Sequence, residues 1–139
     1  MPLRFASLCV FASLSLACSS ANQSPSNPSS DKIVLTGNQK SDWDQILALE
    51  NEAKALVTAN GCSSAAQCRT APVGSRACGG PRYYLVYCSK STDSAALFRK
   101  LDAIATAERE FNRRYQLAST CEFRMPPTVG IVGGVCQAQ

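Results

Sequence analysis

A chain of 139 residues with 14 basic and 10 acidic side chains carries a net charge of +4, too small a surplus for a nucleic-acid footprint. It contains no histidine, which removes Ser-His and Cys-His nucleophile pairs, imidazole metal ligands and the usual proton shuttle. Eight cysteines in so short a chain point instead to an exported, disulfide-bearing protein.

Residues 1–17 read as an export leader, with Arg4 supplying the positive start and an apolar run from Phe5 to Leu16 that is too short to span a bilayer as a stable anchor. Ser15-Leu16-Ala17-Cys18 follows, and it resembles the lipobox of bacterial lipoproteins, whose Cys becomes the palmitate-bearing N-terminus. That family has Leu three positions before the Cys and a small residue two before, where this chain has Ser15 and Leu16. The resemblance implies a lipid anchor at Cys18, and Ser19 beside it is compatible with outer-membrane sorting. The alternative is a soluble periplasmic or secreted protein, cleaved after Ser19-Ser20-Ala21, a small-x-small site. Loss of Arg4 leaves 13 basic against 10 acidic residues, and either cleavage leaves six cysteines to pair.

Residues 18–40 form the lipidated Cys and a flexible tether, because Asn-Gln-Ser-Pro-Ser-Asn-Pro-Ser-Ser cannot bury enough surface to offset its chain entropy. Ile33-Val34-Leu35 is either a short edge strand or an adhesive spot in that linker. The folded domain is expected over 41–139. Its first helix is predicted at about 42–59: Trp43, Ile46, Leu49, Ala53, Leu56 and Val57 fall on one face, Ser41 or Asp42 caps the start, and Asn60-Gly61 ends it.

The six remaining cysteines, Cys62, Cys68, Cys78, Cys88, Cys121 and Cys136, contain no C-x-x-C spacing, so three disulfides are expected and neither a zinc knuckle nor a redox dithiol. Strands are predicted at 69–73 and 83–86, the second from its alternating Tyr83-Tyr84-Leu85-Val86. Gly79-Gly80-Pro81 supplies a turn. A hairpin centred near Cys78 sets Cys68 opposite Cys88, and that pair is the favoured bridge. Ser91-Thr92-Asp93 caps a second helix running to about 117, with Leu97, Leu101, Ile104, Ala105, Phe111 and Tyr115 as its apolar stripe. A straight rod of about 25 residues spans about 38 Å, which keeps Cys88 from Cys121. The tail over 121–136 reads as an irregular strand or loop pinned at both ends, with Cys121–Cys136 and Cys78–Cys121 both open. Gly130 to Gly134 lacks the following helix and Lys of a phosphate loop, so no cofactor is expected.

Cys78-Gly79-Gly80-Pro81 with Tyr84-Leu85-Val86-Tyr87, preceded by Gly61-Cys62 and Cys68 and followed by a long helix and Cys121, is similar to a group of small bacterial secreted or lipid-anchored cysteine-rich proteins. The resemblance covers 62–136 and implies an envelope location and a shared disulfide framework, with no activity. Cys88 stands where that group has Ser.

The candidate partner-binding residues are Gly79, Gly80, Pro81, Arg82 and Tyr84, a rigid turn presented beside two side chains common in binding anchors. Strand alternation puts Tyr83 and Tyr87 on one face and Tyr84 on the other. Among Asp44, Glu50, Glu52, Asp102, Glu108 and Glu110, Glu108 is the carboxylate nearest an apolar stripe, and the competing reading pairs it with Arg109, Arg113 or another base at a helix rim. Arg109, Arg113 and Arg114 form a basic patch that is either solvated or a seat for an anionic partner. The fold expected is α+β: two amphipathic helices packed on a small antiparallel hairpin or sheet, stapled by three disulfides. The function expected is a non-enzymatic envelope module that binds or inhibits an envelope protein, attached to the membrane through its lipid alone. Alternatives are a structural or assembly lipoprotein on peptidoglycan, and a histidine-free carboxylate hydrolase.

Overall fold

In a computed structural model the described residues are 31–139; the leader, Cys18 and most of the tether lie outside them. The elements run α1 (Gln39–Ala55), a 3-10 turn (Ala65–Gln67), β1 (Cys68–Val73), β2 (Tyr83–Cys88), α2 (Ser94–Arg114), β3 (Val129–Val132) and β4 (Val135–Ala138). β1 pairs antiparallel with β2, and β3 with β4. The class is α+β, with two helices, two small antiparallel sheets and three disulfides among the described residues, as the residue pattern implies.

The main core lies between the helices and the first hairpin. Ile46, Leu49 and Ala53 of α1 meet Leu97, Leu101, Ile104 and Phe111 of α2 over Ala71, Val73 and Tyr87 of the hairpin. Each fully buried Leu, Ile or Phe contributes about 1.5–3 kcal/mol relative to exposure. A second, smaller cluster gathers Cys62, Cys68, Cys88 and Cys136 with Val86, Val129 and Ile131 against them.

Helix α1 starts three residues before the predicted position. Its cap is Asn38, whose side chain accepts a 2.9 Å bond from the Ser41 N–H, and not Ser41 or Asp42. Asp42 is fully buried in the first turn and accepts from the Thr36 N–H and hydroxyl (both 2.7 Å), the Gly37 N–H (3.1 Å) and the Tyr115 hydroxyl (2.7 Å). Those donors fold the chain before α1 back onto it. Residues 31–38 therefore belong to the domain, with Asp31 buried and Ile33 and Leu35 packed on the core while Val34 points outward. The end of α1 also moves, to Ala55. Residues 57–60 instead serve the sheets: Thr58 C=O accepts from Cys88 N–H, Ala59 C=O from Cys136 N–H, and Asn60 bridges Val135. A helix continued to 59 would forfeit those bonds.

The first hairpin has the predicted register, with Cys68 opposite Cys88. The favoured Cys68–Cys88 bridge is nevertheless wrong. The bonds are Cys62–Cys88, Cys68–Cys136 and Cys78–Cys121. The segment after α1 and strand β4 both cross the open end of the hairpin, and each brings a cysteine to one member of the facing pair. The tail is corrected as well: 129–138 is a hairpin, turned in two residues by Gly133 and Gly134 with φ of 59° and 81°. Two consecutive positive φ values suit a type I′ turn, which glycine accepts without steric cost. Helix α2 is capped by Asp93, as expected, and stops at Arg114, after which Gln116 takes φ 48° and reverses the chain.

Candidate functional site

The connection between β1 and β2 extends well past the paired strands as a wide turn. Arg82 N–H donates to Val73 C=O at its base, Arg76 N–H to Gly80 C=O across it, and Gly79 N–H to Arg76 C=O at its tip. A second loop, 115–128, leaves α2 and lies against this turn. Four fastenings join them: the Cys78–Cys121 disulfide, the Arg76 guanidinium on the carbonyls of Thr120 and Glu122, the Cys78 N–H on the Ser119 hydroxyl (3.0 Å), and the Tyr84 hydroxyl on the Arg124 carbonyl (3.2 Å). The second loop has no ladder of its own, so these contacts hold its shape.

On that braced loop Phe123 is 86% exposed and Met125 69%. A shallow cleft of about 310 Å³ runs between Phe123 and Arg124 on one side and Gly79, Gly80, Pro81 and Tyr84 on the other. The structure thus brings together four of the five residues singled out in the sequence and adds two that were not. Phe123 and Met125 carried a signal, large apolar residues stranded between Cys121 and Pro126-Pro127 with no periodicity to bury them, but composition alone does not say which loop residues face water.

Arg82 is the fifth, and it points elsewhere. Its Nε donates to Glu108 at 2.8 Å, its terminal nitrogen reaches both Glu108 (2.7 Å) and Glu50, and its guanidinium lies over the rings of Trp43 and Tyr83 at 5.4 and 5.5 Å. Glu108 is buried, and its second oxygen accepts the Ser75 N–H at 2.5 Å. Its partner is another base, Arg82 from across the fold, and the carboxylate is buried and not at a helix rim. Glu50 is buried too, and takes bonds from Lys54 (2.6 Å) and the Tyr83 hydroxyl (2.5 Å). Burial pushes its pKa up, but the bonds from Lys54, Tyr83 and Arg82 more than offset that and hold it at about 2. One guanidinium separates the two acids, in the place a substrate would need. The other carboxylates are dispersed: Asp44 pairs with Lys40, Glu110 with Arg113, and Glu52 with Lys100, while Asp102 is exposed.

Tyr87 is buried and Tyr83 packs on the core, whereas Tyr84 faces the second loop, which is the alternation expected of a strand. In the basic patch Arg113 pairs with Glu110, Arg109 donates to the Thr106 hydroxyl, and Arg114 to the Leu35 carbonyl. The sulfurs of Cys62, Cys68 and Cys136 lie within 4.8 Å of one another, a metal-like spacing, but all three are committed to disulfides and present no thiolate. Among the described residues no helix is long and apolar enough to cross a membrane. No family model, curated protein or solved structure matches the chain.

Proposed function

We propose that this chain is a non-enzymatic binding module of the bacterial envelope, anchored through lipidated Cys18, which inserts a braced ridge into a concave site on an envelope protein and blocks it. The observation that carries this reading is the exposure of Phe123 and Met125 on a loop fixed to the Gly79-Gly80-Pro81 turn by a disulfide. Aromatic residues and Met are enriched in interface cores, and a few such anchors hold most of the binding energy. Bracing lowers the ordering cost of association, so a small exposed ridge suffices for a tight contact. Exposed apolar side chains on a fixed loop fit a cleft in a partner, which is the shape of a hydrolase active site.

The test is cross-linked affinity capture from an envelope extract, comparing the exported chain with a Tyr84→Ala, Phe123→Ala, Met125→Ala variant. Capture of one protein by the wild type, with loss of at least tenfold in the variant, is the expected result, since anchor truncations cost about 1–4 kcal/mol each. Equal capture by both sinks the ridge as the contact. Retention on purified cell wall in place of a protein moves the reading to a peptidoglycan-binding structural lipoprotein. Arg82 is left intact, because its removal would strand two buried carboxylates and confuse unfolding with lost binding.

A further inference from the structure

On the other side of the Cys78–Cys121 brace lies a larger groove of about 810 Å³, which shares only Arg76 with the cleft beneath Phe123. Trp43, Phe111 and Leu117 supply its apolar surface, from the first helix, the second helix and the loop after it. At one end it opens into a smaller basin of about 300 Å³, and the two have Arg76, Ala77, Asn112 and Leu117 in common. Together they are lined by five basic side chains, Lys40, Arg76, Arg82, Arg109 and Arg113, against one carboxylate, Glu108. That carboxylate is spent on Arg82 and the Ser75 N–H.

The positive charge at the rim is only weakly answered within the chain. Arg76 is held by carbonyl oxygens and Arg109 by a hydroxyl, with no carboxylate partner for either among the described residues. Lys40 and Arg113 do have partners, exposed Asp44 and half-buried Glu110, but these are neighbours on the same helices. Such pairs are worth little and exchange readily with an incoming carboxylate.

We infer that this groove is a second binding site, separate from the ridge, for an acidic peptide segment of a partner protein that carries one large apolar side chain. The apolar surface takes that side chain, and Arg76, Arg109 and Arg113 take the flanking carboxylates. Charge complementarity selects the acidic segment, and the Trp43–Phe111–Leu117 wall sets it apart from a purely ionic ligand. Nothing in this assignment depends on the ridge.

Trp43 is the chain's single tryptophan, so its fluorescence reports on the groove directly. The probe is a ten-residue peptide of Glu and Asp around a central Phe, titrated into the exported, oxidised chain. Controls replace the acids by Lys, replace the Phe by Gly, or substitute an oligogalacturonate as a non-peptide polyanion. The expected result is a saturating Trp43 response below about 1 mM for the acidic Phe peptide. It should weaken about tenfold for the Gly peptide and for the Arg109→Glu, Arg113→Glu variant, and fall with added salt. Both arginines are exposed, and far-ultraviolet circular dichroism checks that the variant folds. The Phe123→Ala, Met125→Ala variant should bind the peptide as the wild type does, which separates this site from the ridge. No response at 1 mM, an equal response to the Lys peptide, or an equal response to oligogalacturonate each overturns the assignment.

Discussion

A methyl group added at Gly74 would fall 2.7 Å from one carboxylate oxygen of Glu108 and 2.8 Å from Arg82 Nε, with the other oxygen closer still. The residue also holds φ at +76°, which side-chain-bearing residues rarely adopt. Neither neighbour can retreat, because Glu108 is buried and Arg82 is clamped between Glu108 and Glu50. Gly74→Ala is therefore expected to cost about 2–4 kcal/mol, combining backbone strain with a broken charged bond. Gly79 provides the comparison: its φ is +96° but an added Cβ meets nothing within 4 Å, so Gly79→Ala should cost only about 1–2 kcal/mol. Urea denaturation of the two variants measures the difference, and equal losses would mean that the Glu108–Arg82 contact does not press on Gly74. Glu50 gives the same cluster a pH signature. Its folded pKa of about 2 lies below the ordinary 4.5, so its stabilisation is fully present above pH 4.5 and drains away as pH falls towards 2. The loss amounts to at most about 3 kcal/mol. Thermal melts from pH 6 to 2 should show a shallower acid slope for Glu50→Gln than for the wild type, although the variant starts less stable. A residual slope is expected from Asp31, held low by the Lys100 bond against the effect of burial. An unchanged slope in Glu50→Gln would remove Glu50 from the acid response.

The segment before α1 behaves as an element although it has no ladder. Asp31 pairs with Lys100 at 2.7 Å and with Arg99 at 3.0 Å, Lys100 continues to Glu52 at 2.8 Å, and Thr36 and Gly37 supply three of the four bonds to buried Asp42. A chain beginning at Ser41 would keep the Lys100–Glu52 pair but lose the bonds from Asp31, Thr36 and Gly37, and would uncover the core where Ile33 and Leu35 lie. Its urea midpoint should drop against 31–139 by the equivalent of about 3–5 kcal/mol, as when one partner of a buried charge pair is removed. Equal midpoints would restore the boundary at Ser41. This segment also shows what single-chain reading reaches. The stripes of Ile46, Leu49 and Ala53 and of Leu97, Leu101 and Ile104 are local periodicities, so both helices and the β1–β2 register were legible. The start of α1 was not, since Asp42 looks like a surface cap until Tyr115, far along the chain, donates to it. The Val-Gly-Gly-Val turn of the β3–β4 hairpin was in plain view, but its few flanking residues are too short a run to distinguish a strand from a loop. The partner of Glu108 depended on a contact between α2 and the wide turn, which no helical spacing encodes.

Across the whole molecule the disulfides divide into a buried pair and one surface brace. Cys62, Cys68, Cys88 and Cys136 lie in the second core cluster, where they tie the segment after α1 and β4 to the two strands of the first hairpin at its open end. This arrangement explains why register alone misled the pairing: Cys68 and Cys88 do face each other, but two further strands of chain meet there, and only the three-dimensional crossing decides which sulfurs bond. Cys78 and Cys121 are exposed, and their bond holds the ridge and one wall of the groove without entering either core. Access governs thiol–disulfide exchange, so the brace should open first under a mild reductant. Alkylation followed by mass spectrometry is expected to mark Cys78 and Cys121 before the other four. At that stage amide exchange should rise over 117–128, while α1 and α2 keep their protection. The singly reduced species should lose ridge-dependent capture yet unfold at nearly the temperature of the oxidised chain. Removing Cys68–Cys136 by paired substitution to Ser should instead destabilise the fold by about 2–5 kcal/mol, because it frees a 68-residue closure and leaves β4 without its covalent link to the first hairpin. Labelling of Cys62 or Cys136 ahead of Cys78 would mean that the second cluster opens more readily than the ridge, and that the brace belongs to the stable frame.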